Sequence, residues 1–277
     1  MGRPMAINLM RAGANLVVHN RSRSVVQELE KMGMSAATIP QDVAARCDVI
    51  IVMVSDTPAV EQVLLGPTGV IQGIQPRSLV IDMGTTAVIA TKRIAEKIFE
   101  TGSQYLDAPV SGGEVGARAA SLTIMVGGDA QALDRAQPIF EMLGKNITHV
   151  GEVGAGQVAK AANQMIVGLT IGAVAEALTL AKRAGVDPAK VRQALTGGFA
   201  DSRILELHGQ RMIERNFEPG GKVVTQRKDL AQALELAKSL RLELPATALN
   251  LKLYDRLIDV GDGNLDHSAL IRVLERE

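Results

Sequence analysis

Aromatic side chains are almost missing. There is no tryptophan, and Phe, Tyr and Trp together make up 2% of the 277 residues. A core without large rings must be packed from Ala, Leu, Val, Ile and Met, which suits a parallel sheet wrapped in helices. Cysteine occurs once, as Cys47. No internal disulfide can form, and a lone thiol just ahead of an apolar strand reads as reduced and buried in a cytoplasmic protein. Net charge is absent too, with Lys plus Arg and Asp plus Glu at 30 each. No basic run is interleaved with aromatics, which argues against nucleic acid as the main ligand. The opening residues show no signal peptide, and Ala6 stands where a myristoylation signal needs Ser or Thr. His19, His149, His208, His267 and Cys47 are too scattered for a recognisable metal motif, so no metal is expected.

What is present is ample apolar material, 47% of the residues, in a chain of the length at which one core usually splits into two domains. The longest apolar run extends from Gly156 to Arg183 without a proline. Behind the glycines of Gly154-Ala155-Gly156 it predicts a helix of roughly 40 Å, long enough to bridge two domains. Lys160, Asn163, Gln164 and Val167 fall at i, i+3, i+4 and i+7, so one cation and two amides share a face. A helix apolar nearly all round is expected to be buried. Burial disfavours a lysine without a task and draws its pKa towards values useful for proton transfer. The other reading of Lys160 is a stem lying on protein with its ammonium in water. A membrane span is disfavoured, because Lys160 and Glu176 interrupt the run.

The residues before this helix follow the order of an α/β domain. Asn8 to Gly13 reads as a helix closed by glycine, Leu16 to Asn20 as a strand, and Arg21 to Lys31 as a polar turn and amphipathic helix. These are the later pieces of a dinucleotide-binding βαβ unit, with Gly2 placed as the third glycine of a G-x-G-x-x-G turn and no strand before it. At the end of that strand, Asn20 stands where NAD-preferring folds carry Asp or Glu, and Arg21 and Arg23 follow. This leans towards NADP, the alternative being a pair of solvated loop arginines.

Val49 to Val54 and Leu79 to Met83 read as buried parallel strands. Ser55, Gly84 and Thr85 lie just outside their carboxyl ends, where such sheets bind ligands, although Ser55 and Thr85 can equally be helix N-caps. The strand from Gln104 to Ala108 runs into Pro109-Val110-Ser111-Gly112-Gly113. That loop offers a hydroxyl and unobstructed backbone N–H groups, a cradle for a carboxylate or phosphate if it is not an ordinary loop. It lacks the G-x-S-x-G spacing of a nucleophile elbow. A strand over 122–126, a helix over 130–143 and a strand over 147–150 complete this half. After the long helix only helical patterns follow, over 188–195, 202–214, 228–239, 246–261 and 268–275.

Three stretches together resemble the β-hydroxyacid dehydrogenases: Met1-Gly2-Arg3-Pro4-Met5-Ala6, Asp107-Ala108-Pro109-Val110-Ser111-Gly112-Gly113, and Gly154 through Asn163. Within that family the likeness is greatest to the branch that reduces tartronate semialdehyde. The resemblance implies a doubly wound, Rossmann-like α/β domain lacking its first strand over 1–152. It also implies an all-α domain for substrate and oligomerisation over 153–277, in a homo-oligomer, dimer or tetramer. It implies Lys160 as catalytic proton donor, and Ser111, Gly112, Gly113 and Asn163 as ligands of a small 2-hydroxy-3-oxo acid. NADP or NAD would be held by Gly2, Arg3, Pro4, Asn20, Arg21 and Ser55, with Thr85 and Lys228 near the nicotinamide. Gln164 departs from a frequent Asn, and Gly221 from a frequent Phe. A 3-hydroxyisobutyrate or succinic semialdehyde reductase is the alternative within the family, and a non-catalytic scaffold of the same fold the alternative outside it.

Overall fold

The structure is a computed structural model that describes residues 1–275. The chain forms two compact units, Met1–Lys160 and the residues from Ala161 onward.

In the first unit, α1 (Gly2–Arg11), β1 (Val17–Val18), α2 (Arg23–Lys31), β2 (Ser35–Ala36) and α3 (Pro40–Ala44) are followed by β3 (Val49–Val52), α4 (Thr57–Leu65), β4 (Leu79–Asp82), α5 (Val88–Phe99) and β5 (Gln104–Asp107). Then come β6 (Val110–Ser111), α6 (Gly113–Arg118), β7 (Leu122–Gly128), α7 (Ala130–Glu141) and β8 (Gly144–Gly151). β1 and β2 pair in parallel as a sheet of their own, and the six-stranded sheet runs β3-β4-β5-β7-β6 with β8 on β7. β3, β4 and β5 are parallel, as are β7 and β8. β7 runs against both β5 and β6, so β7 and β8 run opposite to the other strands of this largely parallel, Rossmann-like sheet. Between β5 and β7 the chain has only β6 and the six-residue α6, too little for the covering helix of a parallel crossover.

Both faces of this sheet are covered, and side chains alternate between them. Leu79 and Ile81 of β4 and Leu106 of β5 pack with Met5, Leu9 and Phe140 on one face. Val80 and Tyr105 pack with Ile50, Leu64, Ile94 and Ile98 on the other. Continuous apolar runs are what strands buried on both faces require.

α8 (Ala155–Arg183) leads into the second unit, which continues with α9 (Pro188–Leu195), α10 (Arg203–Glu214), α11 (Val223–Ser239), α12 (Pro245–Asp259) and α13 (Ile271–Glu275). Its core joins Ile171, Ala175 and Leu178 of α8 to Leu205, Leu230, Tyr254, Leu257 and Leu270. Gly168 and Gly172 have no room for a side chain, since a Cβ there would lie 2.7 Å from the Gln226 and Asn250 amides respectively. The two glycines, one turn apart, let these amides pack directly on the α8 backbone.

Four expectations need correction. α11 begins five residues before Lys228, at Val223, and the stretch from His267 to Leu270 is a 3-10 turn ahead of α13. The Ser-Gly-Gly stretch is no open loop, since Ser111 pairs with Thr123 of β7 and Gly113 opens α6. α8 is long and apolar enough to cross a membrane by length and composition, yet it is not buried all round. Val158, Ala162, Ile166, Ala173 and Leu180 form an exposed stripe that the likewise exposed Glu176 interrupts, with Ile166 66% and Leu180 71% exposed.

Candidate active site

Two aspartates stand side by side where adjacent parallel strands end. Asp82 of β4 is in register with Asp107 of β5, and both are fully buried. Buried carboxylates need donors, and each has its own. Asp82 Oδ1 accepts from Gly84 N at 2.9 Å and Oδ2 from Thr86 Oγ1 at 2.5 Å, which curls the chain tightly around Thr85. Asp107 Oδ1 accepts from Gly154 N at 2.7 Å and Oδ2 from Gln157 N at 2.8 Å. These are N–H groups at the positive end of α8, where a carboxylate satisfies orphan donors. The approach is close. A Cβ at Gly156 would lie 2.5 Å from the carbonyl oxygens of Asp107 and Met125. Burial raises the Asp107 carboxyl, the Gly154 and Gln157 donors oppose that, and the Asp82 charge adds to it. The outcome is a pKa pushed up to about 7.

Lys160 lies one turn further along α8. Its side chain is buried, 7% exposed, and Nζ donates to Val110 O at 2.8 Å. Of the two readings of this lysine, burial holds. Its amine is thereby fixed against β6, immediately before Ser111. Gly112 and Gly113 follow with φ of 128° and 61°, a left-handed backbone that favours glycine, and both are exposed. Lys160 and the Ser111-Gly112-Gly113 backbone are therefore brought together. Asn163, three residues on, shares the Lys160 face of α8. Its Nδ2 donates to Gln164 Oε1 at 2.8 Å, and Gln164 Nε2 donates to Asp229 Oδ2 at 2.5 Å. Lys228 Nζ lies 3.0 Å from Asp229 Oδ1. Asn163 and Lys228 are thus linked through Gln164 and Asp229.

Residues 1–151 match the family model described as the NAD binding domain of 6-phosphogluconate dehydrogenase. Residues 154–274 match that described as the NAD-binding of NADP-dependent 3-hydroxyisobutyrate dehydrogenase. A 2-hydroxy-3-oxopropionate reductase of Escherichia coli is 51% identical over 99% of this chain and 94% of its own length. A probable 3-hydroxyisobutyrate dehydrogenase-like 1 protein of Arabidopsis thaliana is 37% identical over 100% of this chain and 83% of its own length. The chain belongs to the β-hydroxyacid dehydrogenase family. Among solved structures, the 3-hydroxyisobutyrate dehydrogenase of Mycobacterium tuberculosis superposes with a TM-score of 0.91 at 29% identity, covering 99% of this chain and 95% of that one. This β-hydroxyacid dehydrogenase is accordingly an NAD(P)-dependent oxidoreductase acting on a small molecule.

The residues expected to hold the cofactor fit it unevenly. Gly2 is the first residue of α1, which no side chain caps, so the leading N–H groups of that helix suit a pyrophosphate. Gly2 rests against Met53, and Gly84 approaches Val54 so closely that a Cβ would lie 3.1 Å from its carbonyl oxygen. The α1 start, the end of β3 and the Thr85 turn thus meet in one place with little side-chain bulk. Pro4 is buried, and Arg3 is engaged by Glu28 at 2.9 Å. Asn20 Nδ2 turns back to Ser22 O at 3.1 Å. Arg23 reaches Ala37 O at 3.4 Å, whereas Arg21 is exposed at the end of the β1 turn. Neither Ser55 nor Thr85 is a helix cap. Asp56 caps α4 and also accepts from Ser55 Oγ, while α5 starts after Ala87, whose N–H donates to Thr57 Oγ1.

Sequence reading missed two clusters in this dehydrogenase. Gln157 joins the aspartate network, a role without a local signal, since its side-chain partners lie more than seventy positions away. The other cluster brings ligand atoms of His208, Asp266 and His267 within 4.8 Å of one another, although the histidines looked too scattered. The cluster is a poor metal site. Asp266 already accepts from Gly220 N, Gly221 N, Ser268 N and Ser268 Oγ, and the Arg211 guanidinium is 3.2 Å away. Burial works to raise the Asp266 carboxyl, but His208, His267 and these donors prevail and hold it well below the usual range. Gly221 packs on this cluster, where a Cβ would lie 3.3 Å from the His267 ring.

Proposed function

We propose that this enzyme reduces tartronate semialdehyde (2-hydroxy-3-oxopropanoate) to D-glycerate, reversibly, with NADPH favoured over NADH. The observation that carries the reading is the Lys160 amine, buried and held 2.8 Å from Val110 O beside the Ser111-Gly112-Gly113 backbone. A bound reduced nicotinamide would supply a hydride to the aldehyde carbon and leave oxidised. Lys160, as the ammonium, gives a proton to the carbonyl oxygen, which becomes the hydroxyl of the product. In the reverse direction neutral Lys160 takes the hydroxyl proton as general base. Ser111 Oγ and the Gly112 and Gly113 amides orient the substrate carboxylate, and Asn163 its hydroxyl. Thr85 and Lys228 are the residues that would hold the nicotinamide end of the cofactor. Gly2 places the α1 amides at the pyrophosphate, and the exposed Arg21, with no carboxylate at Asn20, meets a 2′-phosphate.

The 51% identity with the Escherichia coli reductase supports this substrate over 3-hydroxyisobutyrate or succinic semialdehyde. The structural likeness to the mycobacterial 3-hydroxyisobutyrate dehydrogenase keeps the first of those as the second reading. A scaffold has no use for a buried amine beside an open glycine backbone. The exposed, mainly apolar stripe on α8 supports a homo-oligomer, dimer or tetramer, and the cytoplasm is the proposed compartment. Specificity constants for tartronate semialdehyde, methylmalonate semialdehyde and succinic semialdehyde, each with NADPH and NADH, test the reading. Tartronate semialdehyde with NADPH should lead, and a lead by either other aldehyde rejects the assignment.

A further inference from the structure

Gln157 sits between the two parts of this site to which the proposed reaction assigns hydride delivery and proton delivery. It is 2% exposed. Its Oε1 accepts from Thr86 N at 3.0 Å and its Nε2 donates to Gly84 O at 2.9 Å. One amide therefore grips the peptide groups on both sides of Thr85. Its own N–H is fixed by Asp107 Oδ2 at 2.8 Å. Lys160 is three residues further on, one turn along the same face of α8. The Thr85 turn and the amine of Lys160 thus share one rigid support, closed by hydrogen bonds at both ends of a single side chain.

We propose that Gln157 is a positioning residue that sets the distance between the nicotinamide contact at Thr85 and the proton donor Lys160. The inference rests on the roles given above to those two residues. It touches neither substrate nor cofactor. Its effect falls on turnover, because misplacing the reacting partners by a fraction of a bond length is felt most in the transition state.

A glutamate at this position offers a readout that a purely structural role would lack. Gln157→Glu keeps an acceptor for Thr86 N but turns a second oxygen towards the Gly84 carbonyl. Two acceptors then face each other in a buried site unless the new carboxyl is protonated, whereupon it can donate as the amide did. Turnover of Gln157→Glu relative to wild type should be down at least about thirtyfold near pH 8 and recover to within about threefold as the pH is lowered. KM for the aldehyde should stay within about threefold. Gln157→Met, which fills the space and makes neither bond, should be slow at every pH. A pH-independent ratio for Gln157→Glu, or wild-type kcat in folded Gln157→Met, overturns the proposal. Lys160→Ala in the same assay separates the failures. If it keeps wild-type turnover, the reading of the reaction falls. If it loses turnover while Gln157→Met does not, only the role of Gln157 falls.

Discussion

Asp107→Asn probes the charge on which the start of α8 rests. A carboxyl raised from its ordinary 3.8 to about 7 is less willing to ionise in the fold than in the unfolded chain. At about 1.36 kcal/mol per pH unit, this disfavours the folded, ionised state by roughly 4 kcal/mol. The sign follows from the raised value. The stability this group contributes is fully present below its unfolded pKa and is lost as the pH rises towards and through about 7. An asparagine cannot ionise, so the variant lacks this loss. It carries a constant penalty instead, because one half of its amide presents N–H groups to the Gly154 or Gln157 N–H, which costs about 1–3 kcal/mol. Relative to wild type, Asp107→Asn should therefore gain stability between about pH 4 and pH 8. The chain has two tyrosines and no tryptophan, and Tyr105 and Tyr254 lie one in each unit. In a Tyr254→Phe background, tyrosine fluorescence in urea titrations reports the first unit alone. A stability difference between the Asp107→Asn variant and its Asp107 parent that stays constant across that pH range refutes the reasoning.

Asp266→Asn should destabilise the second unit by about 3–5 kcal/mol near neutral pH, since it strips charge from a buried hub paired with Arg211. Because the Asp266 carboxyl is depressed, this contribution is present above its unfolded pKa and is lost as the pH falls through the much lower folded one. Urea melts read by Tyr254 in a Tyr105→Phe background measure the difference, which should shrink only in strong acid. Arg21→Ala should reduce the NADPH to NADH ratio of specificity constants at least about tenfold, and an unchanged ratio removes Arg21 from 2′-phosphate binding. If the proposed homo-oligomer is built on the exposed face of α8, Ile166→Lys with Leu180→Lys should yield smaller species in sedimentation velocity runs, as charges placed in an apolar interface must be desolvated. An unaltered sedimentation coefficient places the interface elsewhere.

The sheet was legible because several of its strands are continuous apolar runs, Val49–Val52 and Leu79–Asp82 among them, and α8 because no proline interrupts it. β6 was not, since two residues carry no periodicity and their pairing with β7 is a tertiary fact. The exposed stripe of α8 was misjudged for a similar reason. Composition says that Ile166 and Leu180 are apolar, not whether a neighbour covers them. In the site, Lys160 and Ser111 to Gly113 announced themselves by residue type in an unusual setting. Gln157 and the Asp82 and Asp107 pair could not, because their meaning lies in partners brought from distant strands and turns. Local sequence around Asp266 shows no more than a residue able to cap the turn that follows, which it does. Its ties to His208 and Arg211 come from α10, many residues away.

Lys160 is the group proposed to move the proton, and the kcat of folded Lys160→Ala with tartronate semialdehyde and saturating NADPH tests that role most directly. A general acid held in place is worth about a hundredfold or more. Turnover should therefore fall by at least that factor while the dissociation constant for NADPH changes by less than about threefold. Near-wild-type turnover in Lys160→Ala would contradict the account.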